Sequence, residues 1–328
     1  MFDRSRSTRY GWLALVGLIA LASIAIVPPG AAADPECSVD LEQPADVPDC
    51  AEVGDALTVT IDGEVQGGVE VPPEGRGIFV HAMEHDGTTL DFMVETLENG
   101  EVVVDGDGLL PPGGCCGSGP PACSDGAFNL IKADNGNTVK WKSTMNWYYK
   151  TGSRPDYLSE ADVIEEIRDG ATNITHANNN CGQSDQVSAA SDYQGGTNNS
   201  VNMPNGTNNC AGFDDRDGVS VASFGATAGN FLAWACTWWV GDSGPDRIVE
   251  SDIRYDKSGT SWVTSGPCTA SYRLEAVATH EFGHSFGLDH VVEDGHENLT
   301  MSRNLNGTCQ NSEASLGLGD VFGLEDLY

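Results

Sequence analysis

Three histidines and one glutamate lie close together near the C-terminus. The segment from His280 to His290 reads His-Glu-Phe-Gly-His-Ser-Phe-Gly-Leu-Asp-His. On a helix with about 3.6 residues per turn, His280 and His284 stand one turn apart on the same face, where two imidazoles can bind one metal ion. Gly287 can adopt a positive φ that ends the helix and turns the chain so that His290 supplies a third ligand. Three protein ligands and one open position are what a catalytic zinc ion requires.

Glu281 projects beside the two helical histidines. In that position its carboxylate can take a proton from a metal-bound water instead of filling a coordination position. Two alternatives are a histidine-rich helix end that arose by chance and a closed metal site without catalysis. The short pattern H-E-x-x-H occurs in many unrelated chains, but the extended form also fixes the glycine and the third histidine. The spacing therefore predicts a zinc site with Glu281 as general base.

This segment resembles the metzincin metalloproteases, whose pattern H-E-x-x-H-x-x-G-x-x-H it matches at every fixed position. Among them it is most similar to the matrixins, over roughly residues 139–328. The resemblance implies a zinc-dependent endopeptidase that acts on proteins or peptides, with a twisted mixed sheet, long helices and an active-site helix. The supporting matches are Trp141 and Tyr148 in an opening strand, a helix after Leu158, the run Leu274 to His280, and the ending Leu318 to Tyr328.

Two further positions bear on the resemblance. Met301 sits where the family places its Met-turn beneath the zinc, although an ordinary core methionine would pack in nearly the same way. The run 232–235 resembles the edge strand that pairs with extended substrate backbone. Within it, Trp234 stands where many relatives place a histidine ligand of a structural zinc, so a second zinc is not expected.

Many matrixins are kept inactive as zymogens by a Pro-Arg-Cys-Gly motif, and this motif does not occur in the chain. Cys115, Cys116 or Cys123 could still reach the zinc, but disulfide pairing is the alternative that an exported chain favours. The ten cysteines divide into five at or before Cys123 and five after it, so full pairing requires at least one bridge between the two halves.

The N-terminus has the order of a secretory signal peptide. Arginines precede an apolar run that ends in Ala31-Ala32-Ala33, which predicts cleavage after Ala33; an uncleaved anchor is the alternative. We therefore expect a secreted, extracellular protein without stable membrane association. Asp and Glu outnumber Lys and Arg 49 to 16, which excludes nucleic acid as a partner because phosphate repels so acidic a surface.

Short β-rich runs separated by Gly, Asp and Pro turns fill residues 56–110, which predicts a small antiparallel β domain. The Gly- and Pro-rich stretch up to Cys123 interrupts regular structure. Further on, we expect strands at 138–149, 231–240 and 247–255, a helix that begins after Ser159, and a helix at 272–286. Residues 173–218 predict a long loop region.

The sequence thus predicts an α+β chain. Residues 1–33 form the signal peptide, 34–110 a small β-rich domain or an inhibitory propeptide that makes the chain a zymogen, 111–123 a linker, and 124–328 the matrixin-like metallopeptidase domain. The alternative function is a zinc-binding surface or adhesion protein with a degenerate, non-catalytic domain.

Two other groups of side chains have residue types that can bind metal ions. Asp214, Asp215 and Asp217 form an oxygen-rich cluster that predicts either a structural Ca²⁺ site or a solvated turn. His81 and His85 are four residues apart in a β-rich region, where that spacing does not bring side chains together, so both are expected at the surface.

Overall fold

The computed structural model of the chain describes residues 37–41, 51–61, 64–110, 119–291, 295–303 and 307–328. The predicted signal peptide and most of the predicted linker lie outside these residues. Within them, no helix is both long enough and apolar enough to cross a membrane.

One mixed sheet of nine strands forms the centre of the fold. Its strand order is β10-β9-β11-β13-β12-β4-β5-β6, and β8 pairs with β13 beside this path. The strands β8 to β11 and β13 pair in parallel, whereas β12, β4, β5 and β6 continue the sheet as antiparallel neighbours. A smaller sheet has the order β1-β2-β3.

The strands, in chain order, are β1 (Cys37–Asp40), β2 (Ala56–Ile61), β3 (Glu64–Glu70), β4 (Arg76–Glu84), β5 (Thr89–Thr96), β6 (Val102–Leu110), β7 (Asn129–Leu130), β8 (Val139–Lys140), β9 (Met145–Lys150), β10 (Ser191–Thr197), β11 (Ser220–Gly225), β12 (Phe231–Val240), β13 (Asp246–Asp256), β14 (Trp262–Val263), β15 (Tyr272–Arg273) and β16 (Leu288–Asp289). The helices are α1 (Glu160–Thr175), α2 (Leu274–Ser285) and α3 (Leu318–Leu327), with short 3₁₀ turns at Ala122–Ser124 and Ser312–Ala314.

The large sheet separates two hydrophobic cores because strand side chains alternate between its faces. On β12, Ala233 and Ala235 pack into the core beneath the helices, whereas Trp234, Cys236 and Trp238 pack into the core beneath the smaller sheet. The same alternation on β4 sends Ile78, Val80 and Ala82 to the second core. The residues between them therefore face α2.

The helices begin and pack as their sequences dictate. The Ser159 side chain accepts a hydrogen bond from the Asp162 backbone N–H, so the predicted cap of α1 is confirmed. Helix α1 lies against α2 with Gly170 at the crossing, where a Cβ would come within 2.7 Å of the Ala278 Cβ. This close approach fixes α2, which carries the histidine motif, against the rest of the domain.

Most predicted elements are present, with one difference of organisation. The expected separate N-terminal β domain is not confirmed, because β4 pairs with β12 and carries β5 and β6 into the large sheet. Residues 36–328 accordingly form one compact unit. The expected strand at 138–149 is broken into β8 and β9, and the long polar region contains β10. The position of the boundary at 111–123 stays a prediction.

Disulfide bonds join Cys123 to Cys181, Cys210 to Cys236, and Cys268 to Cys309. The first of these is the bridge between the two halves of the chain that the cysteine count predicted. Cys37 is also disulfide-bonded, whereas Cys115 and Cys116 lie outside the described residues.

The crossing of α1 and α2 gives a stability prediction. Gly170→Ala should lower the free energy of unfolding by about 1–3 kcal/mol, because overpacking at the crossing outweighs the better helix propensity of alanine. Urea unfolding followed by tryptophan fluorescence measures the change. Gly126→Ala is the matched control, since a Cβ there meets only the Phe322 ring at 3.4 Å. Equal midpoints for the two variants would contradict the packing argument.

Candidate metal centre

The predicted histidine motif folds into one buried cluster. His280 and His284 are on the same face of α2, and both are fully buried. Gly287 follows the helix with φ 93°, and a Cβ there would collide with the Val139 carbonyl oxygen. The chain therefore turns tightly after α2 and returns His290 to the other two histidines.

A fourth histidine completes the cluster. The ligand atoms of His81, His280, His284 and His290 all lie within 4.8 Å of one another. His81 is in β4 and is 0% exposed, so the expectation that it lies at the surface was wrong. Strand alternation explains the error, because His81 is flanked by residues that face the second core and so points toward α2. His85, by contrast, lies beyond the end of β4 and is only half-buried.

The outer nitrogens of all four rings are held by hydrogen bonds. The Nδ1 atom of His280 lies 2.7 Å from the Thr300 carbonyl oxygen, and that of His284 lies 3.0 Å from the Leu288 carbonyl oxygen. A carbonyl oxygen only accepts, so each Nδ1 carries the proton and each Nε2 keeps its lone pair.

Asp91, in β5, orients the other two rings. Its carboxylate oxygens lie 2.7 Å from His81 Nδ1 and 2.5 Å from His290 Nδ1. A carboxylate that fixes the tautomer of a ligating histidine is a regular feature of metal sites. Burial raises the pKa of Asp91, but the adjacent His290 and His81 outweigh burial and hold this pKa well below its usual value.

The inner nitrogens fit a zinc ion. His280 Nε2 lies 3.2 Å from His284 Nε2 and 3.0 Å from His290 Nε2. Four nitrogens in a tetrahedron around zinc would be about 3.4 Å apart, given Zn–N bonds of about 2.0–2.1 Å. Two lone pairs that face each other at this distance repel unless a cation lies between them. Imidazole is also a preferred donor for zinc.

The electrostatics of the cluster favour neutral rings on α2. Burial and the neighbouring histidines lower the pKa of His280 and of His284 well below the usual value. Burial also lowers the pKa of His81, but the carboxylates of Glu281 and Asp91 outweigh it and raise this pKa to about 10. A divalent cation would thus meet two neutral ligands and compete with a proton at His81.

Glu281 stands beside the cluster with its carboxylate buried. Its Oε1 lies 3.5 Å from His81 Nε2. Within the described residues, both carboxylate oxygens of Glu281 and the Nε2 of His81 lack a hydrogen-bond partner. Unpartnered buried polar atoms are rare in folded proteins, and these three belong to a residue of the histidine cluster and to the glutamate beside it.

The turn beneath the cluster is built around Met301. This side chain is buried against α2, where a Cβ on Gly283 would collide with the Met301 sulfur. The Asp320 carboxylate accepts hydrogen bonds from the backbone N–H groups of Met301 and Thr300. Burial raises the pKa of Asp320 to about 6, while these hydrogen bonds lower it. Asp320 thereby fixes the Thr300 carbonyl that orients His280.

The remaining candidates lie away from this centre. Trp234 is in the second core, where its ring packs edge-on against Phe231. Cys123 is in a disulfide and is not a candidate ligand. The Asp217 carboxylate accepts hydrogen bonds from Asn199 and Asn202, and a calcium site at the aspartate cluster stays a prediction.

Sequence reasoning missed His81 and Asp91. Each occupies a position between residues of the second core, in the pattern Val80-His81-Ala82 and Leu90-Asp91-Phe92. A polar residue between apolar neighbours on a strand usually faces solvent, so the pattern alone favoured the surface. The register that sets His81 opposite both Ala235 and Asp91 is what buries the pair.

The helices packed on a mixed sheet, together with a histidine cluster on α2 and in the turn after it, are consistent with a metzincin-like fold. Residues 228–328 match the family model described as Matrixin, which confirms the resemblance to matrixin-like metzincins over this part of the chain and supports a metalloprotease in general. No curated protein sequence matches the chain.

Asp91→Asn tests whether the Asp91 carboxylate, by orienting His81 and His290, contributes to metal affinity. The asparagine amide has the same shape as the carboxylate, but it is uncharged and has only one oxygen that accepts hydrogen bonds. It therefore cannot accept from the Nδ1–H groups of both His81 and His290 as the carboxylate does, and zinc affinity should fall about 10–100-fold. Competition with a chromophoric chelator measures the dissociation constant. Asp86→Asn is the matched control on the same hairpin, because Asp86 is exposed and caps only the Thr88 N–H. Unchanged affinity in Asp91→Asn would remove Asp91 from the site.

Proposed function

We propose that this chain is a secreted zinc-dependent endopeptidase that hydrolyses peptide bonds in proteins or peptides. The observation that carries the proposal is the convergence of the His280, His284 and His290 Nε2 atoms beside the buried, unpartnered carboxylate of Glu281. The matrixin match over residues 228–328 supports the same reaction class.

The three histidines of the motif would hold the zinc. When bound, a zinc ion lowers the pKa of water toward about 7 and polarises the carbonyl of the scissile bond. The chain itself contributes rigidity, because each ring is fixed through its Nδ1 by a carbonyl or carboxylate oxygen. Fixed ligands hold the reacting groups in a defined geometry.

Glu281 would act as the general base and then as the general acid. Its carboxylate accepts a proton from the attacking water, and it returns that proton to the nitrogen of the leaving amine. No covalent acyl-enzyme forms, since the attacking group is water. The position of Glu281 next to His280 in α2 keeps its carboxylate within the same buried space as the metal ligands.

An exported location accords with the disulfides, because such bonds persist in oxidising compartments. The acidic composition makes nucleic acid an unsuitable partner. Secretion further depends on the predicted signal peptide at residues 1–33.

One observation favours a second function. Four protein ligands around zinc are typical of structural sites, whereas a catalytic site has three. Because His81 joins the three motif histidines, the chain could be a zinc-binding surface or adhesion protein without catalysis. Casein hydrolysis by His81→Asn, which keeps only the three motif histidines, distinguishes the two functions: a peptidase should show hydrolysis that a chelator abolishes and zinc restores, whereas a structural site should show none.

Glu281→Gln tests the mechanism. The substitution should lower the rate of casein hydrolysis by about 10²–10⁴-fold, because the amide cannot accept the proton, while the zinc content stays at that of the wild type. Fluorescent casein assays and metal analysis of the same secreted preparation measure the two quantities.

Glu275→Gln is the control on the same helix, since the Glu275 side chain accepts a hydrogen bond from Asn173, which the amide oxygen can also accept, and it is not part of the histidine cluster. It should retain the wild-type rate. Substantial hydrolysis by Glu281→Gln would show that another group takes the proton.

A further inference from the structure

The edge of β12 that faces the metal centre is already occupied by the chain itself. Strand β4 pairs antiparallel with β12 over its whole length, from Phe231 opposite Glu84 to Val240 opposite Arg76. The other edge of β12 is paired with β13. Within the described residues, β12 therefore has no edge left for an added strand.

An extended peptide substrate would need this same edge. Peptides bind to proteins by adding a strand to a sheet, with main-chain hydrogen bonds for affinity and alternate side chains for specificity. For hydrolysis, the added strand must also run past the metal ligands. The strand β4 meets both conditions, since it pairs with β12 and places His81 in the histidine cluster.

His81 fills the position that a substrate group would take. Its ring stacks on His284 with centroids 4.0 Å apart, and its Nε2 lies 3.5 Å from Glu281 Oε1. One side chain thus stands against the metal ligands and the proposed general base at once. A fourth imidazole on the metal leaves a tetrahedral site without an open position.

The neighbouring strand holds this side chain in place. Asp91 of β5 lies opposite His81 and binds both His81 and His290. On its other face, β4 buries Ile78 and Val80 in the second core, so withdrawal of the strand would expose these apolar side chains to water.

We propose that the hairpin of β4 and β5 keeps the protein latent: β4 occupies the strand-binding edge of β12, and His81 is the fourth ligand of the metal. This inference rests on the proposed peptidase function and assigns its regulation to residues 76–96. Activation requires that β4 leave β12, which frees the edge and the fourth coordination position in one movement.

The chain offers two independent ways to weaken the hairpin. His81→Asn removes the inner nitrogen but keeps a donor for Asp91 at the place of Nδ1. Gly77→Ala leaves the cluster untouched, but its Cβ would collide with the Trp239 ring of β12 and so loosen β4. His85→Asn and Gly126→Ala are the controls, because the His85 Nε2 bonds to Thr260 instead and Gly126 has room for a methyl group.

The first measurement is the visible absorption of the Co²⁺-substituted full-length protein, titrated with azide. Such spectra report the number and type of ligands. The wild type and His85→Asn should not respond to azide, whereas His81→Asn should show a different spectrum that changes as azide binds. Circular dichroism confirms that each variant is folded.

The second measurement is hydrolysis of a fluorescent peptide by the zinc forms. His81→Asn and Gly77→Ala should exceed the wild type about tenfold or more, because the competent fraction of molecules rises. Gly126→Ala should match the wild type. Adding Glu281→Gln to His81→Asn should return hydrolysis to the baseline.

The outcomes separate the two proposals. If the wild-type spectrum already responds to azide and equals that of His81→Asn, then His81 is not a ligand and the latency proposal is overturned, whatever the peptidase activity. If the spectra differ as expected but neither variant hydrolyses peptide, then the peptidase function fails and latency with it, while His81 remains a metal ligand.

Discussion

The convergence of four imidazole lone pairs on one buried point is the interaction on which the site depends. The inner nitrogen of His280 lies 3.2 Å from that of His284 and 3.0 Å from that of His290, a distance at which two unprotonated nitrogens repel unless a cation lies between them. Each ring is oriented by a hydrogen bond between its Nδ1 atom, on the outer side of the cluster, and a carbonyl or carboxylate oxygen. The protein therefore fixes the tautomer and direction of each ligand by a second contact, which is local for His284, held by Leu288, and distant in sequence for His290, held by Asp91.

Strand pairing in the large sheet places Asp91, which orients two of the histidine rings, beside His81. Ala235, His81 and Asp91 lie side by side across β12, β4 and β5, on the face beneath α2. The small side chain of Ala235 leaves room for the imidazole beside it. On the opposite side of α2, the turn at Met301 and the buried Asp320 hold the Thr300 carbonyl against His280. The candidate metal centre thus lies between two supports: the residues of β12, β4 and β5 on one side and the turn at Met301 on the other. Helix α2, which carries His280 and His284, lies between these supports.

The histidine cluster combines a motif that is typical of catalytic zinc sites with a fourth histidine that is typical of structural ones. In the proposed function, the three motif histidines and Glu281 are the residues that act on a peptide bond, whereas His81 belongs to a strand from a different part of the chain. In the latency proposal, β4 takes the place of a substrate strand on β12, so the hydrogen bonds that complete the sheet would also keep a substrate from the metal. The antiparallel register sets both the pairing and the position of His81, so the two effects cannot be separated by a small shift of the strand.

The sequence by itself determined the local parts of this protein. The spacing of His280, Glu281 and His284, with Gly287 to end the helix, predicted the motif because helical geometry relates residues only one turn apart. The cap of α1 and the strand β12 were likewise visible in short runs of residues. Only the tertiary structure decided that His81 and Asp91 join the histidine cluster and that the N-terminal strands extend the large sheet. Strand pairing between residues more than a hundred positions apart sets that register, and a polar residue between apolar neighbours gives no local sign of which face will be buried.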